Sequence, residues 1–125
     1  MKIILDLHVH SVYSRDGVNT IDTITRRIEE IGFQGYALAD HDTMEGIPEA
    51  LNKRGDLVVV PALEVTARGA HVLALDPNEL VPTGLTVAET VDKIHEQGAT
   101  AVLAHPYGLP RSWVSINSVK HASLD

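Results

Sequence analysis

Several short stretches of this 125-residue chain gather ionisable side chains at spacings that suit metal chemistry. Asp6-Leu7-His8-Val9-His10 closes an apolar run. In an extended segment residues i and i+2 share a face, so His8 and His10 point the same way and can grip one ion. Asp40-His41-Asp42 follows the apolar run Gly35 to Ala39, and ionisable groups at the mouth of a buried strand are costly unless paired or metal-bound. Glu64 stands between Leu63 and Val65 in an otherwise apolar stretch from Leu57 to Val65. A buried glutamate without a partner is protonated or destabilising, so a cation or metal ion is expected beside it. The run Ala101 to Ala104 ends in His105-Pro106, and His71 sits just before the run Val72 to Leu75. Asp42 reads as a cap for the helix that follows, and His95 and His121 read as solvated. Seven histidines and no cysteine leave imidazole and carboxylate as the donors, a set suited to hard or borderline divalent ions.

Residues so far apart in the chain need a scaffold that collects them. Apolar runs of strand length recur at Ile3 to Leu7, Tyr36 to Ala39, Leu57 to Val60, Val72 to Leu75 and Ala101 to Ala104. Between them, Ile24, Ile28 and Ile31 keep i, i+4, i+7 spacing and stop at Gly32. Thr86-Val87-Ala88-Glu89 has capping-box spacing, Val87, Val91 and Ile94 form one apolar face, and Gly98 ends the segment. A shorter helix is predicted over Ile47 to Lys53. Strands separated by helices predict an α/β fold of parallel βαβ units, with chemistry beyond the carboxyl ends of the strands. His8, His10, Asp40 to Asp42, Glu64 and His105 fall at such ends, whereas His71 falls at the opposite end of its strand. With no repeat or linker in view, residues 1–125 read as a single domain.

Hydrophobic residues make up 44% and charged residues 22%, which excludes a disordered chain. Ten Lys and Arg against seventeen Asp and Glu give a formal charge of −7, unsuited to sequence-blind nucleic-acid binding. Met1-Lys2 leads into Ile3-Ile4-Leu5-Asp6, too short an apolar run for a signal peptide or a membrane span. A cytoplasmic protein without a membrane partner is expected.

Asp6-Leu7-His8-Val9-His10-Ser11 followed by Ser14-Arg15-Asp16-Gly17 resembles the first motif of the PHP (polymerase and histidinol phosphatase) superfamily. Ala39-Asp40-His41-Asp42-Thr43 is similar to its second motif, Glu64-Val65-Thr66 to the third, His71 to Leu75 to the next, and Ala104-His105-Pro106 to the one after. The resemblance runs from residue 3 to about 107 in the family's order. It implies a distorted seven-stranded parallel β/α barrel holding up to three divalent ions, zinc, manganese or iron. By that resemblance His8 and His10 bind the first ion, with Glu64 bridging to another. Asp16 and His41 bind the second, and Glu64, His71 and His105 hold the third. Asp40, next to His41, is expected either to orient that ligand or to cap the local backbone. The implied reaction is hydrolysis of a phosphoric ester by a metal-activated hydroxide.

The Ser-Arg-Asp-Gly loop is similar to that of small stand-alone phosphoesterases acting on nucleotides or short oligonucleotides; a sugar or amino-alcohol phosphate is a further candidate substrate. Arg15, Arg68 and Arg111 lie close to the motifs and suit bidentate phosphate contacts. The alternatives are a proofreading nuclease module of a DNA polymerase system and a non-catalytic RNase P-like protein subunit. Such subunits have typically lost the ligands that this sequence retains. Family members continue past the His-Pro motif to an Asp-x-His pair that has no counterpart after His105. The expectation is therefore an N-terminal part of an incomplete barrel that alone need not catalyse, with Glu64, His71 and His105 as its best-equipped ion group. An open edge near Ala101 to Ala104, with Val102 uncovered, is expected to promote homo-oligomers.

Overall fold

The computed structural model describes residues 1–108 and 112–125. Strands β1 (Leu5–Val9), β2 (Gly35–Leu38), β3 (Val58–Ala67), β4 (Ala70–Leu75) and β5 (Thr100–Leu103) form one sheet in that order, curled into a half-barrel. Helices α1 (Ile21–Glu30) and α2 (Ile47–Lys53) make the crossovers between the parallel strands β1, β2 and β3. Helix α3 (Val87–Glu96) joins β4 to β5. A two-stranded piece, β6 (Tyr107–Gly108) and β7 (Ser112–Trp113), and a short α4 (Ile116–Val119) follow.

The α/β half-barrel meets the sequence expectation, and one strand runs against it. β3 continues to Ala67 and turns back through Arg68-Gly69, so that Ala67 pairs with Ala70 and β4 lies antiparallel to β3. Gly69 supplies the positive φ (+78°) that so tight a turn demands. β5 is antiparallel to β4 and therefore parallel to β3. This reversal brings the amino end of β4 to the rim where the other strands have their carboxyl ends.

Local rules explain the helices. Thr20 caps α1 by accepting from the Thr23 N–H, and Ile21, Ile24 and Ile28 are buried. Thr86 and Glu89 form a reciprocal capping box on α3, whose Val87, Val91 and Ile94 are buried against Leu63, Val65, Val72 and Ala74. A second cluster packs Ile21, Ile24, Ile28 and Ile47 on Tyr36, Leu38 and Val59. Each such side chain contributes about 1.5–3 kcal/mol by leaving water. A third cluster contains Ala37, Ala39, Ala62, Leu73 and Ala104. By strand alternation Ala62 shares a face with Glu64, while Leu63 and Val65 face α3. Mostly small side chains thus lie on the face that carries the ionisable ones.

The edge of β5 is not bare at Ala101. The Asp125 carboxylate accepts from the Ala101 N–H at 2.8 Å, and the Asp125 N–H donates to the Ala101 carbonyl at 3.0 Å. Val119, Ala122 and Leu124 pack against the α3 cluster beside it. At the other edge β1 pairs with β2 alone, and Ile3, Ile4 and Leu7 are exposed. Among the described residues no helix is long and apolar enough to cross a membrane.

Candidate metal centre

Glu64, on β3 and 0% exposed, is the hub of the rim. Its Oε2 lies 2.8 Å from His8 Nε2 and 2.7 Å from His10 Nε2. The two imidazole nitrogens are 3.1 Å apart, as the i, i+2 spacing at the end of β1 allows. His41, just beyond β2, makes a parallel bridge with Glu64, and its Nε2 stands 3.5 Å from Oε2. Oε1 faces His105 Nε2 at 2.9 Å and His71 Nδ1 at 3.4 Å. His71 arrives there because β4 is reversed: Leu73 pairs with Glu64, which makes His71 its diagonal neighbour. The rings close a circuit, His8–His10–His41–His71–His105 and back to His8, with successive centroids 4.7 to 5.7 Å apart.

Burial alone would raise the Glu64 carboxyl, but the imidazoles of His10 and then His8 outweigh it and hold the group far below the carboxylate range. The Glu64 hydrogen bond raises His10 against the opposing effect of burial, and Asp16 adds to it. Asp16 is held at about 2: burial works against this, and the Ser14 hydroxyl and His10 prevail. His71 is lowered by burial, with Glu64 opposing. The rim therefore carries a charged buried carboxylate that is stable only with cations around it.

The donors fit an ion. Bonds of about 2.0–2.2 Å to one centre hold donor atoms roughly 3 Å apart, and the three atoms His8 Nε2, His10 Nε2 and Glu64 Oε2 lie 2.7–3.1 Å from one another. Two three-residue groups, His8–Glu64–His105 and His10–His41–Glu64, bring their donors within 4.8 Å. The resemblance implies Glu64 as a bridge between the His8–His10 ion and another, and Glu64 stands between all five histidines. Asp16 sits at the margin, its Oδ2 3.2 Å from His41 Nε2 and its carboxylate also accepting from His10 Nδ1–H at 2.9 Å. Among the described residues, His41 Nδ1 is buried without a hydrogen-bond partner.

Asp42 and His95 differ from expectation, and Asp40 takes the local one of its two expected roles. Its carboxylate, 1% exposed, accepts from the Ser11 N–H at 2.6 Å and the Ser11 hydroxyl at 2.7 Å, fixing the loop after β1. Asp42 does not cap α2, whose first residue follows Gly46 with no side-chain cap. It accepts instead from the Thr66 N–H at 2.7 Å and hydroxyl at 2.6 Å, tying the loop after β2 to β3. His95, expected to be idle, meets Asp125 at 2.8 Å. Of the arginines, Arg15 reaches the rim, 3.8 Å from Asp42 Oδ2, whereas Arg68 pairs with Glu89 at 3.7 Å near the start of α3. Arg111 lies outside the described residues. Sequence reasoning passed over Ser11, Ser14 and Thr66, whose only signal was a hydroxyl within or beside each motif.

The PHP domain family model matches residues 6–81, more than half of the chain. The chain belongs to the PHP domain family. An uncharacterised protein of Methanocaldococcus jannaschii is 33% identical over 114 residues, covering 82% of this chain and 67% of that protein. The phosphoribosyl 1,2-cyclic phosphate 1,2-diphosphodiesterase of Eggerthella lenta is 35% identical over 88 residues, 64% of this chain and 33% of that enzyme. A 5'-3' exoribonuclease of Haemophilus influenzae is 29% identical over 103 residues, 78% of this chain and 37% of its own length. The chain thus spans between one third and two thirds of these PHP relatives. A crystal structure from Bifidobacterium adolescentis, provisionally assigned as a metal-dependent phosphoesterase, superposes with a TM-score of 0.76 at 19% identity, over 93% of this chain and 72% of that one. At that identity it shows the shared PHP-type fold.

Proposed function

We propose that this chain carries the ion-binding part of a divalent-metal-dependent phosphoesterase. The observation behind this reading is the buried Glu64, whose two oxygens are divided between His8 and His10 on one side and His71 and His105 on the other. In this reading Glu64 bridges ions, His8, His10, His41, His71 and His105 ligate them, and Asp16 joins His41. Imidazole and carboxylate donors suit zinc, manganese or iron. Divalent ions at such a site supply charge neutralisation for the phosphoryl oxygens and acidify water. The side chains then have only to bind and orient, and none is needed as a nucleophile. Arg15 is the proposed phosphate contact: its guanidinium is on the rim and makes no hydrogen bond among the described residues, leaving its donor fork for an anion.

The names of the relatives, a diphosphodiesterase and an exoribonuclease, support a phosphodiester within a nucleotide or a short oligonucleotide as the substrate. The test is turnover of a short 5'-phosphorylated oligoribonucleotide and of a cyclic nucleoside monophosphate by the zinc- or manganese-loaded chain, beside inorganic-phosphate binding. Metal-dependent release or binding that Glu64→Gln abolishes is the expected result. A metal-loaded chain that neither turns over an ester nor binds phosphate overturns the reading.

A further inference from the structure

The loop after β1 contains a buried hydroxyl that neither the metal ligands nor the substrate contact accounts for. Ser14 is 4% exposed. Its Oγ accepts the backbone N–H of His41 at 3.0 Å and donates to Asp16 Oδ1 at 2.6 Å. A hydroxyl has a single proton, and with His41 N–H on its acceptor side that proton goes to Asp16. His10 Nδ1–H is shared by both oxygens of Asp16, 2.9 Å from Oδ1 and 3.0 Å from Oδ2. The Ser14 hydroxyl, by contrast, holds Oδ1 alone. Oδ2 is turned toward His41 Nε2 at 3.2 Å. A ring proton can bridge this oxygen and this nitrogen, and a metal ion can take that proton's place.

The hydroxyl stands on a rigid base. The Ser14 N–H donates to the Ser11 carbonyl at 2.9 Å, and the Gly17 N–H donates to the Ser14 carbonyl at 3.1 Å. Ser11 is itself clamped by the buried Asp40. Gly17 is required in this turn because a Cβ there would meet the Ser11 carbonyl oxygen at 1.8 Å. One chain of contacts thus runs from Asp40 through Ser11 and Ser14 to Asp16 and His10, and branches to the backbone of His41. Residues from the loops after β1 and after β2 are held in one frame at a single atom, Ser14 Oγ.

We propose that Ser14 is a positioning residue that holds the Asp16 carboxylate through Oδ1, so that Oδ2 stays turned toward an ion shared with His41. This rests on the metal-binding reading above and adds to it the residue that sets the geometry of one ion. Without the hydroxyl, Asp16 is held by His10 Nδ1–H without a second anchor, and its carboxylate can swing away from His41. Loss of an orienting hydrogen bond of this kind costs about 10- to 100-fold in metal affinity.

The experiment is titration of the full chain with Zn²⁺ and with Co²⁺, read by calorimetry and by the visible absorption of bound Co²⁺. Ser14→Ala is expected to weaken one ion by about 10- to 100-fold and to change the Co²⁺ bands. Ser14→Thr, which keeps the hydroxyl, should restore both. In an Asp16→Asn background Ser14→Ala should cost nothing further, because its effect passes through Asp16. Unchanged affinity and bands in Ser14→Ala overturn the proposal, as does an equal loss in the Asp16→Asn background, which marks a purely structural role. A wild-type chain that binds neither ion overturns the metal reading itself.

Discussion

The two oxygens of Glu64 face unlike surroundings. On the Oε2 side His8 and His10 approach to 2.8 and 2.7 Å, and His10 is oriented from behind by Asp16. On the Oε1 side His105 stands at 2.9 Å and His71 at 3.4 Å, and among the described residues neither imidazole has another hydrogen-bond or ion-pair partner. His105 is 41% exposed and holds a positive φ of 26°, a backbone state that persists only where surrounding structure imposes it. The sides differ less in the ligands they offer than in how those ligands are held. An imidazole already fixed by a carboxylate loses little freedom on meeting an ion, so orientation favours the Oε2 side. Ligand count favours Glu64, His71 and His105 instead, and measured ion affinity decides between the two.

The comparison can be broken most sharply at its centre. Glu64→Gln should leave neither side able to retain an ion after desalting, measured by elemental analysis. One ion surviving that substitution would show that a side stands without the shared carboxylate. Next in size is the contrast between His10→Ala and His71→Ala. Competition with a chelating dye should show the first variant losing about tenfold more zinc affinity than the second, and equal losses would erase the distinction between the sides.

Acid should then reverse the order of the two sides. His10 is raised, so on the Oε2 side an incoming ion must displace a proton held above the ordinary histidine value of about 6.5. His71 is lowered and is already neutral near that value. As pH falls from about 8 to 5, His10-side ligation should fail before His71-side ligation, visible as two steps in bound Co²⁺ absorption. A single step would mean that the two sides titrate as one. The metal-free chain should behave oppositely. A raised His10 contributes stability that is fully present below about 6.5 and lost as pH rises through its folded value. The lowered Asp16 contributes stability present above its unfolded value, near 3.9, and lost as pH falls toward about 2. Thermal melts in chelator should therefore peak between roughly pH 4 and 6.5, and a melting temperature still rising at pH 8 contradicts this.

The smallest effect tests whether the rim is independent of the distant packing. Thr86→Ala removes the capping box of α3, which packs on the sheet face opposite Glu64, and should cost about 1 kcal/mol of stability without altering zinc affinity. A loss of ion binding in that variant would show that the rim depends on α3.

Much of this protein is legible from local chemistry. The i, i+2 spacing of His8 and His10, the isolated Glu64 in an apolar run, the capping box at Thr86 and the helix over Ile47 to Lys53 all express rules that act within a few residues. Strand ends were less legible: β1 runs from Leu5 to Val9 rather than from Ile3 to Leu7, and β3 extends to Ala67. Apolar character alone does not say where a ladder of hydrogen bonds stops. What tertiary structure decided is direction and sharing. The turn at Arg68-Gly69 reverses β4 and carries His71 to the rim, and the curl of the sheet sets five histidines around one carboxylate. Pairing of strands distant in sequence fixes which donors meet, and a hydroxyl such as Ser14 gains its partners only when two loops are brought together. The residues able to bind an ion are thus written in the chain, and their division between the two oxygens of Glu64 is set by how the strands pair.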